Sequence, residues 1–357
     1  MTPNPFLGVI FHWIGGLASA SFYIPYRGVR RWSWETYWLV GGFFSWIIAP
    51  WIFAGLMTRD LLGVLHEASF STLFWTYFFG VLWGTGGLTF GLTMRYLGIS
   101  LGTAVALGLT AAFGTLIPPI FSGQIGGLVA SHSGQAVLFG VLVCLAGIVV
   151  VGLAGHRKET EQEARHIEGQ PKAVNFTRGV LVAVFSGIMS SCFAYGLAAG
   201  EPIRQLTLAA GTPVLSQGLP VLCVVLFGGF CTNAIWCLFL VIKNRSASQW
   251  LGAPARGDAG ADRAPLAMNY LLCALGGAAW YFQFFFYTMG ESQMGKYGFS
   301  SWTLHMASVI LFAALWGLGL KEWKGASRKS LGLLTLGLAV LIGSTVIIGL
   351  GNAMAAH

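Results

Sequence analysis

Charge is what this sequence has least of. Only 9% of its 357 residues are Asp, Glu, Lys or Arg, against roughly a quarter in soluble domains, and a soluble globular protein is excluded. Carboxylates are scarcest, twelve in all. Six of them (Glu35, Asp60, Glu67, Glu201, Glu291 and Glu322) stand near the ends of apolar runs and the rest in loops. A cationic cargo favours a carboxylate within the membrane, and the sequence places none in the middle of a run. The first 26 residues contain no Lys or Arg, so they lack the basic start of a signal peptide and are expected to persist as a membrane span. All six cysteines fall in apolar runs without CxxC or His/Cys ligand spacing, which implies neither a disulfide frame nor a metal site. HExxH, GxSxG and paired-carboxylate motifs are missing too. No catalytic residue, metal or cofactor is expected, and an enzyme is the weaker reading.

What is present is apolar length. Hydrophobic residues make up 55% of the chain and the mean hydropathy is +0.71. Windows of about 20 apolar residues, enough to cross a bilayer core, recur near 5–26, 37–57, 71–92, 99–121 and 134–154, then 177–199, 214–242, 267–290, 300–320 and 331–351. The sequence predicts an all-α polytopic membrane protein of ten helices. Its net charge of +8 follows from topology: 17 of the 20 Lys and Arg lie in the loops after spans 1, 3, 5, 7 and 9. The positive-inside rule then puts both termini outside the cytoplasm. Nucleic acid is not implied; contact with anionic lipid is compatible with the basic loops.

The charged stretch "HRKETEQEARHIEGQPK" separates five spans from five. This divides the chain into a first five-helix repeat (1–154), a charged cytoplasmic linker (155–176) and a second repeat (177–357). An odd number of spans per half requires the halves to be inverted relative to one another, as in many secondary transporters. Spans 5 and 10 have few polar side chains and read as lipid-facing buttresses. Small-residue pairs at Gly80–Gly84, Gly87–Gly91 and Gly98–Gly102 allow close packing, and Pro118–Pro119 and Pro220 are expected to kink or break their helices.

Two kinds of polar residue interrupt the apolar spans. His12 and His305 are the ionisable groups well inside predicted ends, and imidazole suits a proton-coupled cycle. The alternative is a neutral histidine hydrogen-bonded to a neighbouring helix. In "WYFQFFFY" seven rings surround Gln283, with Trp280, Gln283, Phe284 and Tyr287 on one helical face. Rings beside an amide suit a neutral polyol, whose C–H face stacks while its hydroxyls exchange hydrogen bonds. An interfacial aromatic belt or core packing is the alternative.

The segments "FHWIGGLASASFYIPY", "RRWSWETYW", "GLTMRYLGISLG", "WYFQFFFYTMG", "SWTLHM" and "LGLKEW" resemble the L-rhamnose/proton symporters, a family of the drug/metabolite transporter superfamily. The resemblance implies two inverted five-helix repeats and proton-driven import of a 6-deoxyhexose across the bacterial inner membrane. No obligate protein partner is implied. Spans 6 and 7 and the segment 251–265 match less well. On physical grounds, a sugar would lie between spans 1, 3, 8 and 9. Gln283 would bond its hydroxyls, Trp280 and Tyr287 would frame the ring, and Trp302, Tyr23 and Trp83 are further pocket candidates. His305 and His12 would carry the proton. Glu35 and Glu322 could pair with Arg or Lys as a cytoplasmic gate. A transporter of another solute, or an exporter, shares this architecture.

Overall fold

A computed structural model of the chain describes residues 3–97, 99–163, 176–253 and 263–356. Ten long helical segments follow one another: α1 (Pro5–Tyr26) and α2 (Trp34–Met57), α3 (Phe70–Leu97), α4 (Ile99–Phe121), α5 (His132–Glu163), α6 (Phe176–Ala199), α7 (Leu219–Asn244), α8 (Leu266–Gln293), α9 (Ser301–Gly319) and α10 (Arg328–Ala356). Among the described residues, nine segments are long and apolar enough to cross a membrane. The exception is α3, whose 28 residues include five threonines and five glycines. The chain is thus an all-helical, multi-span membrane protein.

Local sequence explains several boundaries. Asn4 caps α1 by accepting a hydrogen bond from the Leu7 amide at 3.2 Å, and Pro5 begins the helix where no amide hydrogen is needed. Pro220, expected to break a span, occupies the first turn of α7, so it starts a helix and costs no internal bond. Pro118 and Pro119 do lie inside α4, near its end. Midway along α2 a π-helical turn, Phe44–Ile48, precedes Pro50. Such a turn accommodates the amide that Pro50 cannot supply.

The helices are patterned for lipid outside and polarity within. On α1, Phe6, Ile10, Ile14 and Leu17 are exposed, whereas Gly8, His12, Gly15, Gly16 and Ser19 are buried. Small residues bring backbones together where no hydrophobic difference between lipid and protein drives association. A Cβ at Gly15 would come within 2.9 Å of the Gln283 carbonyl on α8 and 3.4 Å of the His305 ring on α9. The small-residue pairs of α3 divide in use: Gly80 and Gly84 abut Val225, Gly229 and Thr232 of α7, while Gly87 and Gly91 face open space. Gly98 lies outside the described residues.

The two expected buttresses, α5 and α10, pack against each other along their length, with Val141, Cys144, Ile148, Leu341, Ser344 and Ile348 buried and Phe139, Leu142, Leu336 and Val346 exposed. Helix α5 runs beyond the predicted end at 154 to Glu163, so the first part of the expected linker is helical. The extension is fastened at its charged end. Arg157 pairs with Glu161 one turn on, at 3.0 Å, and the Glu161 carboxylate accepts from the Ser327 amide (2.9 Å), the Ser327 hydroxyl (2.6 Å) and the Ser330 hydroxyl (3.0 Å) at the start of α10. The rest of the linker, 164–175, lies outside the described residues, as do 254–262 of the segment 251–265.

Candidate functional site

The polar residues of α1, α8 and α9 converge on one buried cluster. His12, Gln283, Tyr287, Trp302 and His305 are all at most 4% exposed. The Tyr287 ring centroid is 5.4 Å from that of His12 and 5.4 Å from that of His305, and the two imidazoles are 6.3 Å apart. His305 Nε2 makes a long contact of 3.5 Å with Gln283 Oε1. Trp302 closes the cluster, 5.6 Å from Tyr287 and 6.5 Å from His305. The sequence had put the two histidines and the glutamine on three different helices; the fold makes them neighbours.

Backbone geometry fixes these side chains. The Ser308 hydroxyl lies 2.8 Å from the His12 carbonyl and 2.7 Å from the His305 carbonyl, tying α1 to α9 directly beneath the two rings. Trp302 donates its indole N–H to the Thr110 carbonyl on α4 at 2.9 Å, and Thr115 and Thr303 share a hydroxyl contact of 2.6 Å. The indole fits because residue 114 is glycine: a Cβ there would run into it.

The cluster holds more hydrogen-bonding capacity than its protein neighbours use. Both ring nitrogens of His12, Nδ1 of His305 and Nε2 of Gln283 are buried without a hydrogen-bond partner among the described residues. Buried polar groups are rarely left so, and here several lie together. The walls are rings: Phe193 stacks on Trp302 (5.6 Å, 27°) and meets Phe284 at 4.5 Å.

The other predicted site residues spread outward from this centre. Trp280 shares α8 but contacts Phe22 at 4.3 Å and Phe284 at 6.1 Å, and its indole nitrogen is another buried atom without a partner. Trp83 stands one ring further out, against Phe193 and Phe284. Tyr23 is not brought in: it is 45% exposed and packs on Phe22 and Tyr26. Glu35 is buried and accepts from Asn244 (3.0 Å) and Ser246 (2.9 Å), capping the contact between α2 and the end of α7. Glu322 is exposed. With Lys158 and Trp323 it lines the mouth of a groove of about 400 Å³ between α4, α5, α9 and α10, where the Lys158 ammonium lies 4.9 Å above the Trp323 ring. The groove reaches inward to Leu107 and Ile310.

Two features escaped the sequence reading. Phe193, from "SSCFAYG", had no aromatic repeat to draw attention to it. Glu291, taken as a carboxylate near a span end, is only 17% exposed in its side chain and pairs with Arg204 at 2.6 Å. Arg204 comes from the short helix Glu201–Ala209 that follows α6. The available signal was spacing: residues 283, 287 and 291 recur every four positions and so share a helical face.

The family model described as L-rhamnose-proton symport protein (RhaT) matches residues 1–356. The chain belongs to this family. An L-rhamnose-proton symporter of Cronobacter sakazakii is 37% identical over 348 residues, covering 97% of this chain and 98% of the relative. L-rhamnose-proton symporters of Salmonella paratyphi B and Salmonella newport are 38% identical over the same shares. The family is one of transporters and not of enzymes, and the match extends across α6, α7 and the variable segment where the quoted motifs had been sparse.

Proposed function

We propose that this protein imports L-rhamnose together with a proton by alternating access, with the sugar held at the cluster of His12, Gln283, Tyr287, Trp302 and His305. The observation that carries the assignment is the set of buried, unpartnered nitrogens on His12, His305 and Gln283 within an aromatic cage. A deoxyhexose presents hydroxyls to such nitrogens and a methyl group and C–H edges to Trp302 and Tyr287. Trp280 and Trp83 line the approach. His305 and His12 take and release the coupled proton, which imidazole does near pH 6.5 when solvated.

On this reading all ten helices cross the inner membrane, α3 included, as two inverted five-helix repeats of the drug/metabolite transporter type, with both termini periplasmic. The length of α3, about 42 Å at 1.5 Å per residue, is more than sufficient. The pairing of helices supports the repeat. Exchanging each helix with the one five places on turns the α1–α8 contact into α6–α3, α1–α9 into α6–α4, and α4–α5 into α9–α10, and leaves α5–α10 unchanged; all of these contacts are made. Glu322, at the groove mouth, and Glu35, at the α2–α7 cap, serve on the cytoplasmic side as gate elements. Sugar and proton act by binding one member of the outward/inward pair better than the other.

The test uses purified protein in liposomes. Adding L-rhamnose should alkalinise the external medium, with L-fucose and L-mannose ranking below it and a cationic dye giving no response. Silence toward every sugar from folded protein would overturn the assignment, and a response to the dye would favour an exporter of other solutes.

A further inference from the structure

The Arg204–Glu291 pair bridges the helix Glu201–Ala209 and the end of α8. Arg204 belongs to the helix joining α6 to α7, and Glu291 to the last turn of α8. Arg204 contacts two carboxylates of very different setting. Glu291, across the interface, is 2.6 Å away and 17% exposed; Glu201, one turn back on its own helix, is 3.6 Å away and 51% exposed. The guanidinium is itself 12% exposed, and its Nε has no hydrogen-bond partner. An enclosed charge pair is held together strongly only while both members stay charged.

The pair also adjoins the transport cluster. Tyr287 lies one helical turn before Glu291, and the backbone of Gly290 abuts the His12 ring, where a Cβ would come within 2.9 Å of Nε2. The titratable groups that act on Glu291 are Arg204 and Glu201 from the connecting helix and Tyr287 on α8; His12 on α1 lies against the preceding Gly290, and Lys296 stands in the turn that follows α8. The Lys296 ammonium lies over the Tyr297 ring at 5.5 Å, so Arg204 is the cation that meets the carboxylate. Both gate candidates read from the sequence, Glu35 and Glu322, lie at the opposite end of the molecule.

We propose that Arg204 holds the outer end of the transport path shut through Glu291, and that a proton arriving on Glu291 from outside releases it. The inference rests on the symport reading above. The carboxylate accepts the proton and becomes a neutral acid. Arg204 keeps its own proton and its charge, and remains paired with Glu201, so the connecting helix leaves α8 with its cation neutralised locally. When Glu291 gives its proton inward, toward the His12 side, the carboxylate returns and recaptures Arg204. Glu201 thus makes release reversible by providing the second seat.

The experiment compares wild type, Glu291→Gln and the double variant Arg204→Gln/Glu291→Gln in liposomes, with folding checked by thermal melting. Both variants should exchange labelled L-rhamnose at least as fast as wild type, because the lock is gone, while the accumulation ratio under an inward pH gradient falls to unity. Difference infrared spectra on acidification, taken without sugar, should contain a carboxylic-acid band in wild type that is lost in Glu291→Gln. Retained pH-driven accumulation in Glu291→Gln overturns the proposal. Equal loss of exchange and accumulation in both variants also overturns it, since a purely structural strut behaves that way. A wild type that moves no sugar yet shows the Glu291 band would defeat the symport reading while leaving Glu291 as a proton site.

Discussion

His12 and His305 face each other across the contact of α1 with α9, ring centroids 6.3 Å apart, and neither Nδ1 meets a hydrogen-bonding group among the described residues. Two imidazoles so close disfavour being protonated together, because like charges in a poorly solvated site repel. At most one of the two is therefore expected to carry a proton at a time.

His305→Gln should retain L-rhamnose exchange between equal pools but lose accumulation driven by a pH gradient. Counterflow and pH-driven uptake in the same liposomes check this. Undiminished pH-driven accumulation would remove His305 from the proton path.

Gln283→Ala should weaken L-rhamnose binding by about tenfold, the loss of roughly one hydrogen bond of 1–1.5 kcal/mol. Tryptophan fluorescence titration of folded protein reads the affinity directly. An unchanged dissociation constant would place Gln283 outside the site.

Gly114→Leu should destabilise the fold by about 1–3 kcal/mol through overpacking, because the added side chain must displace the Trp302 indole from Thr110. Trp302→Phe keeps the ring and leaves the Thr110 carbonyl short of a donor, for a loss of about 1 kcal/mol. Melting temperatures of the two variants should fall in that order.

Glu161→Ala should lower thermal stability, since three hydrogen bonds to the beginning of α10 depend on that carboxylate. Exchange and accumulation of sugar should be unaffected, which separates this contact from those of the transport path.

The spans were legible because a bilayer imposes length and apolarity on each helix separately, a condition that a window of residues can report. Helix α3 shows where that breaks down: Gly80 and Gly84 serve contacts with α7 and Gly86 one with α6, while Thr85, Thr89 and Thr93 bond carbonyls of their own helix, and together they dilute its apolarity. Members of the buried cluster were legible when their chemistry was out of place on their own helix, as with His12, His305 and Gln283. Phe193 was not, because a phenylalanine in an apolar helix is ordinary until Trp302 and Phe284 are seen on either side of it. Arg204 and Glu291 were separated by 87 positions and each looked like a residue at a solvated end. Tyr23, at the end of the same helix as His12, lies 45% exposed against Phe22 and Tyr26 and outside the buried cluster.

The seam between α5 and α10, glycine-lined and clasped at one end by Glu161, supplies a fixed frame for watching the molecule work. Gly140, Gly147, Gly337 and Gly351 seat the facing side chains of the partner helix along its length. Probes placed on those two helices should keep a constant separation throughout the transport cycle. Any change measured from them to α1, α8 or α9 can then be read as motion of those helices and not of the ruler.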